Sequence, residues 1–125
     1  GKRVWAVASD DFHQAFLGPG QGWVQVQVPE AGEITWELIV DQLKQGAFYA
    51  STYPRFEAIG LEDGMLRVEA DKRTLVLRVI GEGGVEVFRG EGGHLQWRVE
   101  DVGCYFRIEA VSGRKCAWSQ PFYRG

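Results

Sequence analysis

The chain is poor in the residues from which cofactor and metal sites are usually built, with two histidines, two cysteines and one methionine in 125 residues. The close-paired Cys and His spacing of a structural zinc site is missing, which sets aside a site made from His13, His94, Cys104 and Cys116. Cys104 and Cys116 fall on consecutive predicted strands joined near Ser112-Gly113. In that hairpin the partner of Cys104 lies near Phe122 or Tyr123, which sets the sulfurs roughly 20 Å apart. Both are expected as free thiols, in keeping with a reducing, cytoplasmic compartment. A basic cluster is also lacking: the net charge is −3 and the pI near 5.4, so nucleic acid is not an expected partner. No apolar run is long enough to span a bilayer, and no signal pattern opens the chain, so no membrane partner is expected. There is no Gly-x-Ser-x-Gly, and Ser9, Ser51, Ser112 and Ser119 have no local base, which argues against a serine hydrolase. The chain starts Gly1-Lys2-Arg3 and its methionine is Met65, so it reads as an excerpt of a longer polypeptide.

What is present supports a mainly β fold. At 45% hydrophobic and 25% charged, the chain can bury a core without staples. Val4 to Ala8 is continuously apolar, as in a strand buried on both faces. Trp23 to Val28 alternates with period two, and Pro29 closes it. Thr35 is a good N-cap for a short helix whose apolar face is Trp36, Ile39, Val40 and Leu43, with Ile34 stapling onto Ile39 and Gly46 as the stop. Phe48 to Ser51 returns to strand character.

From Phe56 onward seven short strands are expected, at 56–61, 66–70, 75–80, 85–88, 94–99, 104–111 and 116–123. Asp63-Gly64 signals a hairpin, and the glycine runs at 81–84 and 90–93 read as further hairpin loops. The expectation is an immunoglobulin-like antiparallel β-sandwich at 54–125, preceded at 1–53 by a terminal strand, a strand and one short helix. Leu95, Trp97 and Val99 should face the core, as should Cys104, Phe106, Ile108 and Ala110, with Tyr105, Arg107 and Glu109 facing water. Trp36 and Trp97 fit inner faces. That leaves chiefly Trp23, Tyr53, Tyr105 and Tyr123 for an aromatic binding platform, too few for a convincing one.

The chemistry centres on Asp10-Asp11-Phe12-His13, directly behind the apolar run. Carboxylate oxygen and imidazole nitrogen two positions apart suit zinc, manganese or iron, and strand ends are where α/β enzymes gather such groups. Asp11 and His13 are the candidate metal ligands. Asp10 is a further ligand, a group orienting His13, or a cap for the turn. A bare acid-x-His also occurs in ordinary turns, where the Asp bonds nearby amides. His94, on an outer strand face, reads as a surface residue.

The order of Val7-Ala8-Ser9-Asp10-Asp11-Phe12-His13, Gly20-Gln21-Gly22-Trp23-Val24, Leu43-Lys44-Gln45-Gly46-Ala47-Phe48-Tyr49-Ala50-Ser51-Thr52 and Ala117-Trp118-Ser119-Gln120-Pro121 resembles the carboxy-terminal part of the polymerase-and-histidinol-phosphatase (PHP) superfamily of metal-dependent phosphoesterases. The likeness is to the subgroup, including carbamate-hydrolase-like members, whose barrel continues into a β-sandwich. It implies that residues 1–53 end a PHP-type barrel begun upstream in the same polypeptide, and that Asp11 and His13 match the family's late Asp-x-His motif. It implies divalent metal ions (Zn, Mn or Fe) in the intact protein, a small phosphoester or related substrate, and metal-assisted hydrolysis. The family's early His-x-His and middle ligands have no counterpart here, so no catalytic residue is assigned, and the isolated fragment should bind metal weakly and be inactive. Tyr53-Pro54 also departs from the family's small residue before proline. The alternative is a non-catalytic sandwich that binds a partner or carbohydrate. An uncovered strand edge would also favour self-association of fragments.

Overall fold

Alternating apolar residues dictate strands with one wet face, and two antiparallel sheets result in the computed structural model, which describes residues 2–11, 16, 18–100 and 102–124. The larger sheet holds β1 (Trp23–Val26), β2 (Phe48–Ser51), β5 (Val76–Ile80), β6 (Glu86–Glu91), β8 (Tyr105–Ser112) and β9 (Lys115–Trp118), in the order β1-β2-β9-β8-β5-β6; β10 (Phe122–Tyr123) also pairs with β8. The smaller sheet is β3 (Phe56–Glu62), β4 (Met65–Ala70) and β7 (His94–Arg98), in that order. The chain is thus mainly β, with sandwich-like architecture. Strands from both sides of residue 53 share the larger sheet, because β2 pairs with β9 through Ala50–Trp118 and Ser51–Ala117.

The inner faces meet in one apolar core. Leu66, Val68 and Leu95 of the smaller sheet pack with Leu77, Val79, Phe106, Ile108 and Ala110 of the larger, all nearly inaccessible to water. Burying each of the larger aliphatic side chains contributes about 1.5–3 kcal/mol. Trp97 is inward as expected and stacks on Phe88 with centroids 5.5 Å apart. Two assignments in the Cys104–Val111 run change. Cys104 is exposed and precedes β8 rather than joining its inner row. Glu109 faces outward but is only 4% exposed, because Arg78 Nη2 (2.5 Å) and Arg107 Nη2 (2.8 Å) close over its carboxylate. A charge can lie there because guanidinium hydrogen bonds replace water.

The Asp63-Gly64 turn forms as expected, with φ of 50° and 73°, and joins β3 to β4. The turn at 81–84 likewise joins the paired strands β5 and β6. Gly92-Gly93 does not make a hairpin. It is a corner where the chain leaves the larger sheet for the smaller one, held by Gly92 N–H to Leu75 O (2.7 Å) and Ala70 N–H to Gly93 O (2.7 Å). Glycine punctuation marks the change of direction but carries no information on which sheet the next strand joins. The expected final strand 116–123 divides into β9 and β10 at Ser119, whose N–H donates to Ile108 O (2.9 Å) while its Oγ, in place of a backbone carbonyl, accepts from Ile108 N–H (2.8 Å). The cysteines are free, as expected.

The helix α1 (Trp36–Gln45) has the foreseen ends. Thr35 Oγ1 accepts from Leu38 N–H (3.2 Å), and Gly46 takes the left-handed conformation at φ 76° that closes the last turn. Its apolar face is another matter. No residue of α1 is buried, Trp36 is 76% exposed and Ile34 63%, so Trp36 is not a core residue of this chain. Val4 to Ala8 forms no strand either: residues 2–11 run as an extended strap outside both sheets, with Val7 71% exposed. An apolar run reads the same whether its cover comes from this chain or another, which is why the sequence suggested two-sided burial.

Candidate functional site

The strap is fixed to the sandwich by side chains instead of a ladder. The Gln120 amide takes the place of a neighbouring strand, its Oε1 accepting from Ala6 N–H (2.8 Å) and its Nε2 donating to Ala6 O (2.7 Å). Trp5 Nε1 donates to Lys44 O (3.2 Å), one of the carbonyls left without a partner at a helix C-terminus. The Trp5 ring covers Gly46 so closely that a Cβ there would lie 2.9 Å from it. Arg3 sits over the Tyr123 ring at 5.2 Å.

Asp10 ends the strap. Its Oδ2 accepts from Gly20 N–H (2.6 Å) and its Oδ1 from Gly22 N–H (2.7 Å). Those amides, with that of Gln21, hold its pKa below the ordinary aspartate value. Gly22 is required for the approach, since a Cβ there would stand 2.9 Å from Ser9 O. Asp10 therefore anchors the strap to the loop that enters β1, across ten and twelve residues of sequence. That role differs from capping the turn that follows it. Asp11 comes next, exposed, at φ 48°, a left-handed conformation that few residues other than glycine, asparagine and aspartate adopt. His13, like Phe12, lies outside the described residues.

Among the described residues no three His, Cys, Asp or Glu side chains gather as a metal site. The donor types at Asp11 and His13 suit a divalent ion, but two donors alone would make up only half of a coordination sphere. His94 lies on the outer face of the smaller sheet, as expected, and pairs there with Glu69. Cys116 is buried enough to push its thiol up to about 12, which makes it a poor nucleophile and a poor ligand.

Two clefts border Trp5. One, of about 910 Å³, runs between the strap and the outer face of the larger sheet over Arg107, Trp118 and Tyr105. The other, of about 690 Å³, opens between β1–β2 and β3. The second was missed in the sequence because its rings come from four separated segments, and only the fold brings them together. No helix of the described residues is long and apolar enough to cross a membrane. Compared with family models, curated proteins and solved structures, the chain matches none of them.

Proposed function

We propose that this chain is the carboxy-terminal part of a PHP-type metal-dependent phosphoesterase, in which Asp11 and His13 supply two metal ligands and the sandwich, read as immunoglobulin-like, is an accessory unit. The observation that carries the reading is the exposure of large apolar side chains ahead of β2: Val4 and Val7 of the strap, Phe16, and Ile34 and Trp36 at the start of α1. Such a surface calls for a partner. An upstream barrel of the same polypeptide, packed on α1 and pairing along the strap, would cover it and bring the missing ligands to Asp11. A bound divalent ion would there polarise a phosphoester and generate a nucleophilic water near neutral pH. This chain's part is to hold Asp11 in place: Asp10 engages the Gly20–Gly22 amides, and Gln120 fixes Ala6 four residues earlier. The same surface would let isolated fragments self-associate.

The test is metal content and phosphoester hydrolysis of the full-length polypeptide. Asp11→Ala and His13→Ala should each abolish hydrolysis and lower bound zinc, manganese or iron, with the isolated chain inactive throughout. A full-length protein that carries no divalent metal, or whose activity survives both substitutions, rules the reading out.

A further inference from the structure

The larger sheet is wider than the smaller one, so the inner face of β1 and β2 overhangs beyond β3 and leaves the cleft of about 690 Å³. That size is ordinary for a small-molecule site. Trp5, Tyr49, Phe56 and Phe122 contribute half-buried rings to it, Tyr49 and Phe56 edge to face at 5.1 Å. Around them stand Gln25, Gln27, Gln45 and Glu57, whose side chains make no hydrogen bond among the described residues.

Glu57 lies at a β-bulge on the edge strand β3: the register against β4 shifts between Phe56, opposite Ala70, and Ala58, opposite Glu69. Bulges of this kind concentrate at sheet edges and beside binding sites. Phe56, Glu57, Ala58 and Ile59 all line the cleft, so this irregular edge forms its wall.

We infer that this cleft binds a neutral sugar. Ring faces match the apolar C–H faces of a pyranose, primary amides both donate to and accept from hydroxyls, and a carboxylate can accept from two vicinal hydroxyls at once. Among the described residues no Lys, Arg or His lines the cleft, which disfavours phosphorylated or acidic ligands. A quaternary ammonium would suit the rings and the carboxylate, but not three amides, whose N–H groups it cannot accept from. The inference is independent of the metal-ligand reading, since Asp11, the described member of that pair, does not line this cleft.

The experiment is an amide chemical-shift titration of this chain with glucose, galactose and cellobiose, and separately with choline, into the tens of millimolar. At least one saccharide should saturate and shift Gln25, Tyr49, Phe56 and Glu57, and Glu57→Gln should weaken it roughly tenfold. Glu62→Gln, on the same strand outside the cleft, should leave affinity unchanged. Trp5→Ala provides a second arm, weakening the saccharide through the other wall. No saturable shift with any saccharide, shifts elsewhere that Glu57→Gln leaves intact, or saturation by choline alone would each overturn the inference.

Discussion

The two-sheet body and the elements ahead of β2 that lie outside it, the strap of residues 2–11 and α1, solve the problem of apolar surface in opposite ways. In the first, alternation hides Leu77, Val79, Phe106 and Ile108 against Leu66, Val68 and Leu95. In the second, an equally apolar strap and helix leave Val7 and Trp36 largely in water, although α1 is well capped at both ends. Local signals can therefore be satisfied while burial is not. The difference teaches that the sandwich closes its own core, whereas the leading segment has a face suited to a further surface.

That contrast can be broken most directly in the core. Phe106→Ala should cost about 3–5 kcal/mol in chemical denaturation of this chain, while Trp36→Ala should stay within about 0.5 kcal/mol because its ring is already hydrated. If an upstream barrel covers α1, as proposed, Trp36→Ala should be strongly destabilising in the longer polypeptide. Equal small effects in both settings would remove the case for a covered helix. Gln120→Ala should act in between, leaving the denaturation midpoint of the core nearly unchanged while amide exchange at Ala6 rises by about tenfold, the loss of one or two net hydrogen bonds. Global unfolding on that substitution would mean that the strap belongs to the core's cooperative unit.

The smallest effect concerns acid. Asp10 has a folded-state pKa below its unfolded one, so its anchorage is present above the unfolded value and is lost as pH falls through the folded value. The Gly20 and Gly22 amide resonances should therefore titrate together, with a midpoint below that of an ordinary aspartate, while core amides stay put. A midpoint at the ordinary value would mean that the carboxylate is free of the loop in solution.

Much of the fold was legible because it is locally encoded. Thr35 and Gly46 fix the helix, Asp63-Gly64 fixes a turn, and the alternating runs around Leu95 and Phe106 fix which side faces in. Trp36 was misplaced as a core residue because amphipathic spacing specifies a face, not what lies against it. The Gly92-Gly93 corner was misread since a hairpin and a sheet-to-sheet crossing use similar glycine-rich turns. Arg107, two residues before Glu109, shares its face by alternation, but the burial of Glu109 also needed Arg78 from the neighbouring strand, a cross-strand fact that alternation cannot carry. At the candidate site, Asp10 was singled out, yet its partners stand ten and twelve residues away in a loop whose glycines do not show which carboxylate they receive. The bulge at Glu57 left no trace in the sequence, because it is defined by the partner strand.

Beside the contacts of Arg3 and Trp5, the hydrogen bonds at Ala6 and Asp10 pin the strap four residues apart, and a rod so pinned can neither slide nor swivel. A ladder would tolerate a slip of two residues, since the same faces would still match. Here such a slip would carry Asp10 about 7 Å from its loop and leave the glutamine facing the wrong peptide. Two residues thus set a longitudinal zero for the chain that follows, and inserting or deleting a single amino acid between them should be tolerated far less well than any replacement there.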